Sequence, residues 1–358
     1  MLLLLNLLFV LTFSKLIPEA IPLDTNIQDI NSISISGNGF LICITTYGGD
    51  AILLFNDGTK IGTYRRNANI GEYIYSCTFS PQSNFIIVNS VLQNTQPSVN
   101  GKIYIYELDI DRVIIEKYTV TRNSGEFPWP NTYVFSNSDC KFALVDYNST
   151  NITLYDICED KQTTIKANTD GITTMTFSED ETNLFWKEDR KGNLTIYDLI
   201  SNAIIKVYSV GNDSSDVWYF NNPSIITNEN YIIDCSSNTG IIYLINRLSD
   251  NIKTIDNPWF GQKMTFYENI YFYISLFDYE LMSMNMTTGI ITKLSPATNF
   301  NFQNNIATII NNNELKICKT IFDLDNCDKG IWNNNLKYIG ANYTLDINNN
   351  LIKWTLVD

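Results

Sequence analysis

The sequence predicts an all-β chain, a single β-propeller of seven or eight four-stranded blades. Three observations predict it: a strand–turn–strand unit that recurs along the chain, a spacing of about 40 residues between copies, and no apolar pattern of helical period and length. Units of that length with four short strands each cannot bury both faces alone, so they stack on their neighbours around a ring.

The clearest copy is "TMTFSEDETNLFWKEDRKGNLTIYDL", Thr174 to Leu199. Its first half, strand then polar turn then apolar strand, returns as "SCTFSPQSNFIIV" from Ser76, "TYVFSNSDCKFALV" from Thr132 and "ISISGNGFLICI" from Ile33. Its second half returns as "KIYIYELD" from Lys102, "NITLYDIC" from Asn151, "NLTIYDLI" from Asn193 and "GIIYLINR" from Gly240. Weaker copies follow at Ala51, Glu280, Glu314 and Leu351. These second-half marks lie between 34 residues (Glu280 to Glu314) and 51 residues (Ala51 to Lys102) apart. In "LTIYDL", Leu194, Ile196 and Asp198 alternate with Thr195, Tyr197 and Leu199, and both sets are fairly apolar. That suits a sheet covered on both faces.

Phe-Ser-Pro/Glu before an apolar strand, then a strand ending Tyr-Asp-Leu, resembles the WD40 repeat family, best over residues 73–210 and weakly over 31–358. Tyr-Asp or less stands where that family has Trp-Asp, and its Gly-His dipeptide is missing because the chain has no His. The resemblance implies the fold and no particular partner. The last unit, from Gly330, has only three strands, so its outer strand is expected from about Leu16 to Asn26. Closure of this kind removes the free edge of an open ring. Residues 15–358 then form one domain.

Composition limits the chemistry. A net charge of -14 sets nucleic acid aside, since phosphate binding rests on clustered Lys and Arg. The lack of His removes the usual general base near neutral pH, imidazole metal ligands and Ser-His or Cys-His pairs. No metal or other cofactor is expected: "DLDNCDKG" from Asp323 and "DINNNL" from Asp346 have the oxygens of a calcium loop without its order.

The apolar run Leu2 to Phe13 is too short to span a bilayer and reads as a signal peptide over residues 1–14. No later run has membrane length, so the expected product is secreted or lies in the secretory-pathway lumen. Sequons at Asn148, Asn151, Asn193, Asn212, Asn285 and Asn342 mark it as a glycoprotein, most of them in predicted turns. Of seven Cys, Cys140 with Cys158 and Cys318 with Cys327 flank short turns and are placed to bridge across hairpins. Cys43, Cys77 and Cys235 read as strand residues.

The loops that lead into inner strands carry aromatics at matching places: Tyr73 before Phe79, Trp129 before Phe135, and Trp259 with Phe260 before Phe266. Glu72 and Glu126 accompany them. An aromatic and acidic rim suits a sugar or a basic peptide. The expected function is therefore non-catalytic binding of a protein or glycan. The alternatives are a glycan-processing enzyme with Glu72 and Glu126 as its carboxylates, and a structural propeller of the secretory pathway.

Overall fold

The computed structural model describes residues 15–20, 30–37, 39–46, 49–64, 72–92, 101–108, 114–122, 133–145, 151–167, 171–188, 192–210, 225–235, 241–256, 264–275, 279–303, 306–312, 314–318, 324, 327–331, 336–340, 343–346 and 351–357. Every regular element among them is a β-strand. The expected signal peptide lies outside them.

Strand β1 (Lys15–Ala20) comes first in the chain. The first sheet is β2 (Ile30–Ile35), β3 (Leu41–Thr46), β4 (Ala51–Phe55) and β5 (Lys60–Tyr64). The second is β6 (Glu72–Phe79), β7 (Phe85–Leu92), β8 (Gly101–Leu108) and β9 (Ile114–Arg122). The third is β10 (Tyr133–Phe135), β11 (Lys141–Val145), β12 (Asn151–Asp156) and β13 (Lys161–Lys166). The fourth is β14 (Ile172–Phe177), β15 (Asn183–Glu188), β16 (Asn193–Asp198) and β17 (Ala203–Ser209). The fifth is β18 (Ile225–Thr227), β19 (Tyr231–Cys235), β20 (Ile241–Asn246) and β21 (Ile252–Asp256). The sixth is β22 (Met264–Tyr267), β23 (Ile270–Ser275), β24 (Glu280–Asn285) and β25 (Ile291–Pro296). All six are antiparallel meanders, whose strands are called a to d below.

The seventh sheet has eight strands. It uses β26 (Asn299–Gln303), β27 (Ile306–Asn311), β28 (Glu314–Cys318), β29 (Cys327–Ile331), β30 (Leu336–Gly340), β31 (Tyr343–Asp346) and β32 (Leu351–Val357), in the order β26-β27-β28-β29-β1-β32-β31-β30. β1 runs antiparallel to β32, from Lys15 opposite Val357 to Ala20 opposite Ile352. It meets β29 at a single parallel bridge, Lys15 to Lys329.

Two turn chemistries recur because the same residue types recur. At the a–b turn, the hydroxyls of Ser36, Ser80, Ser136 and Ser178 accept the backbone N–H of Leu41, Phe85, Lys141 and Asn183 at 2.9, 3.0, 3.0 and 2.9 Å. Each such turn passes through one left-handed residue: Gly39 (φ 72), Ser83 (φ 65), Asp139 (φ 66) and Glu181 (φ 57). At the c–d turn the carboxylates of Asp156 and Asp198 and the side-chain carbonyls of Asn246 and Asn285 accept backbone N–H groups that follow them. The Asp of the repeated Tyr-Asp is thus a turn-former, in keeping with Asx chemistry. Gly289 (φ 75) closes the c–d turn of the sixth sheet, where a Cβ would lie 2.5 Å from Lys253 Nζ.

The left-handed residues also tie sheets together. Ser83 Oγ accepts Gly37 N–H at 2.7 Å, joining the second sheet to the first. Asp139 accepts from Ser80 Oγ, Gln82 N–H and Asn84 N–H at 2.6, 3.0 and 3.1 Å, joining the third to the second. Glu181 accepts from Ser138 N–H and Oγ at 2.5 and 2.7 Å, joining the fourth to the third. Left-handed φ costs a non-glycine residue roughly 1–2 kcal/mol, and charge-assisted hydrogen bonds offset it.

The core is divided between the sheets. One cluster packs Ile86 and Val88 of the second sheet on Ala51 and Leu53 of the first. Another packs Trp186 and Leu184 of the fourth on Ala143 and Val145 of the third. The pattern continues through the fourth and fifth, fifth and sixth, and sixth and seventh sheets. Within the seventh, Ile310 and Leu315 of one half pack on Ile352 and Trp354 of the other. Strand β2 of the first sheet lies beside β30 of the last.

Three disulfides are present: Cys140–Cys158, Cys318–Cys327 and Cys43–Cys77. The first two are the expected hairpin bridges. The third corrects the reading of Cys43 and Cys77 as plain strand residues: β3 and β6 bring them to a Cα–Cα distance of 6.2 Å, linking the first two sheets. Cys235, in β19, is the seventh.

Candidate functional site

In an antiparallel a–d meander the starts of a and c and the ends of b and d share one edge, while the a–b and c–d turns hold the other. Apart from Asp139, the buried charged side chains among the described residues, Glu72, Lys187, Glu188, Asp234 and Glu280, gather toward the first of these, the connection edge. Apolar strands form their centres, so polar residues are tolerated only where they find partners.

Glu72 opens β6 and is buried. Its Oε1 accepts from Ser90 Oγ and from Tyr104 OH, both at 2.6 Å. These lie near the end of β7 and in β8, and Lys102 Nζ stands 5.9 Å from the Tyr104 ring centroid. On the other face of the same sheet, Asn89 donates to Ser76 Oγ at 2.8 Å and to Tyr133 OH of the third sheet at 3.2 Å.

Between the fourth and fifth sheets, Lys187 Nζ contacts Asp234 Oδ1 at 3.0 Å and Oδ2 at 2.9 Å. Their side chains are 2% and 0% exposed. Full burial of both charges removes their hydration, a cost that their pairing helps to offset. Glu188, next in the strand, accepts from Asn193 Nδ2 at 3.1 Å. In the sixth sheet Glu280 opens β24 and pairs with Lys293 at 2.8 Å. Its second oxygen is buried without a hydrogen-bond partner among the described residues.

Tyr73 and Glu72 lie in strand β6, with Tyr73 opposite Val91, and not in the loop before it. That corrects their expected position: the strand starts earlier because β7 and β8 run to eight residues and extend the ladder. Trp129, Trp259, Phe260 and Glu126 lie outside the described residues. So do Asn148, Asn212 and Asn342. Asn151 is exposed at the start of β12. Asn193 is half-buried at the start of β16, and Asn285 is exposed at the end of β24. Asn151 and Asn193 open strands, while Asn285 ends one and caps the turn that follows it. Lys187 and Asp234 escaped the sequence reading, although their signal was there: charges toward the ends of the otherwise apolar strands "NLFWKE" and "YIIDC".

No metal-ligand cluster of His, Cys, Asp or Glu occurs among the described residues. Nor does any helix there have the length and apolarity to cross a membrane. The three disulfides accord with an extracellular or secretory location.

No family model matches the chain. No curated protein matches it either. Among solved structures it is similar to the dihydro-heme d1 dehydrogenase NirN in complex with DHE, with a TM-score of 0.58 and 11% identity over 92% of this chain and 67% of that one. This likeness points to a propeller-like all-β fold. It also corrects the expectation of a non-catalytic chain: the neighbour is an enzyme, so this architecture does not set catalysis aside. At such identity the likeness carries the fold and none of that protein's chemistry.

Proposed function

We propose that the chain is a secreted, N-glycosylated propeller of WD40-like repeats, eight blades in one domain over residues 15–358, that binds a protein or glycan ligand at its connection edge. Eight blades follow from reading the seventh sheet as two. Its halves pack face to face through Ile310, Leu315, Ile352 and Trp354 and share one bridge between β29 and β1. β1 serves as the outer strand of the last blade, and β2 beside β30 completes the ring.

One observation carries the binding reading: aromatics recur in the sequence at matching intervals before inner-strand Phe residues, Tyr73, Trp129 and Trp259 with Phe260, and the described part of the connection edge holds buried charges such as Glu72, Lys187 and Asp234. Aromatic faces with a few fixed polar groups beneath them orient a polar ligand. The test compares the chain with a Trp129→Ala/Trp259→Ala variant of matched thermal stability, on a glycan array and by cross-linking capture from culture medium. Loss of bound glycan or protein in the variant is expected. Unchanged binding moves the contact surface elsewhere.

A second reading, glycoside processing with Glu72 and Glu126, has one point in its favour, the burial of Glu72 at the same edge. Hydrolysis of a glycoside by the chain but not by its Glu72→Gln variant would establish it.

A further inference from the structure

The sequons at Asn193 and Asn285 have the same sequence grammar, but the fold holds their amides in opposite ways. Asn193 opens β16 and is half-buried at the connection edge of the fourth sheet. Its Nδ2, the atom that would carry a sugar, donates to Glu188 Oε2 at 3.1 Å, and its Oδ1 accepts from Ser209 Oγ at 3.3 Å. Glu188 is 8% exposed and accepts no other side-chain hydrogen bond among the described residues. Thr195, the third residue of this sequon, is 1% exposed.

The Asn193 amide is thus gripped at both ends, and a sugar on its nitrogen must push aside the carboxylate or the hydroxyl. Pushing aside the first leaves a buried carboxylate without its donor, in a place where water does not replace it.

Asn285 ends β24 at the turn edge of the sixth sheet and is exposed, as is Thr287, the third residue of its sequon. Its Oδ1 accepts the backbone N–H groups of Thr287 and Thr288 at 3.1 and 3.0 Å, while its Nδ2 donates no hydrogen bond among the described residues. The backbone N–H of Gly289 donates to the Asn285 carbonyl at 2.7 Å and closes the same turn. All of these contacts join near neighbours in the chain, so this turn can form before the sheet around it is complete. The oxygen of the amide is fixed and the nitrogen is presented.

We propose that Asn285 carries an N-linked glycan and that Asn193 stays bare in the folded chain, its amide serving as a clamp on Glu188. This rests on reading the chain as N-glycosylated, and it assigns the sugar to one of two amides. In the transfer, Asn285 Nδ2 bonds to C1 of a sugar carried on a lipid pyrophosphate. The C1–O bond breaks, the lipid pyrophosphate leaves with the electron pair, and the amide gives up one proton. The glycan then stands on the edge opposite the proposed ligand surface, and the fourth sheet keeps its connection edge uncovered at Glu188.

The full chain is expressed in a eukaryotic secretory host, and the folded protein is purified from cells and medium. Treatment with peptide N-glycosidase in heavy-oxygen water turns each occupied asparagine into labelled aspartate, which peptide mass spectrometry locates. Label at Asn285, with about ten-fold less or lower at Asn193, is the expected result. Comparable label at both, or a bare Asn285 beside other labelled sequons, overturns this inference and leaves the glycoprotein reading standing. Label at no sequon overturns both. The clamp is read separately: Asn193→Ala should lower the unfolding temperature of the enzymatically deglycosylated chain by about 2 °C or more, and an unchanged temperature overturns it.

Discussion

The carboxylate of Asp139 and the hydroxyl of Ser80 meet at 2.6 Å, though 59 residues separate them and they belong to different sheets. Asp139 is 1% exposed and also accepts two backbone N–H groups of the Ser80 turn. One side chain, held out by its own left-handed backbone, completes the turn of the preceding sheet.

Asp139→Ala should therefore destabilise the chain by about 2–4 kcal/mol, since it strands buried donors as well as losing hydrogen bonds. Asp139→Gly should recover about 1 kcal/mol of that, because glycine accepts the left-handed φ freely. Urea unfolding of the three proteins measures both differences. A loss below about 0.5 kcal/mol in the Ala variant would mean the clasp is incidental.

Removing the Cys43–Cys77 bridge by a double Cys→Ala change should cost about 4 kcal/mol, against about 2.6 kcal/mol for Cys318–Cys327, because they close loops of 34 and 9 residues. Thermal unfolding of the two double variants gives the order. The reverse order would show that loop closure does not govern these bridges.

Lys187→Met should destabilise by about 3–5 kcal/mol, as Asp234 would keep a buried charge with its cation gone. The double variant Lys187→Met/Asp234→Leu should regain most of that loss. A double-mutant cycle in denaturant reads the coupling, and additive losses would contradict it.

Tyr118 donates to Asp160 at 2.9 Å, and burial first, then that hydrogen bond, push its hydroxyl from 10.0 up to about 12. A folded value above the unfolded one means the stabilisation is complete below pH 10.0 and fades as pH rises toward about 12. Alkaline titration of tyrosine absorbance should show a late group that moves to lower pH in Asp160→Asn. If no group moves, the pairing is absent in solution.

The repeat was legible because its signals are local. Ser36, Ser80, Ser136 and Ser178 are written at equivalent places, as are Asp156 and Asp198, and the turns they make follow from their own side chains. The hairpin bridges and the joining of an early strand, expected at about Leu16 to Asn26 and found at Lys15–Ala20, to the last one were legible for similar reasons, short separation in one case and a missing strand in the other. Cys43–Cys77 and Lys187–Asp234 were not, because each joins two sheets and no local spacing reports which residues of adjacent sheets stand at equal height. The strand that swallowed Tyr73 and Glu72 was missed because strand ends are set by neighbours such as β7 and β8.

The pairing of Lys15 with Val357 has a consequence in time. These partners stand near opposite ends of the described chain, so a ribosome must release nearly everything between them before the two can meet. Until then Lys15–Ala20 lacks its antiparallel partner β32, while the sheets between can form in turn. The seventh sheet is thus completed by the first-made of the described strands, and anything that holds that strand during synthesis also decides when this sheet is complete.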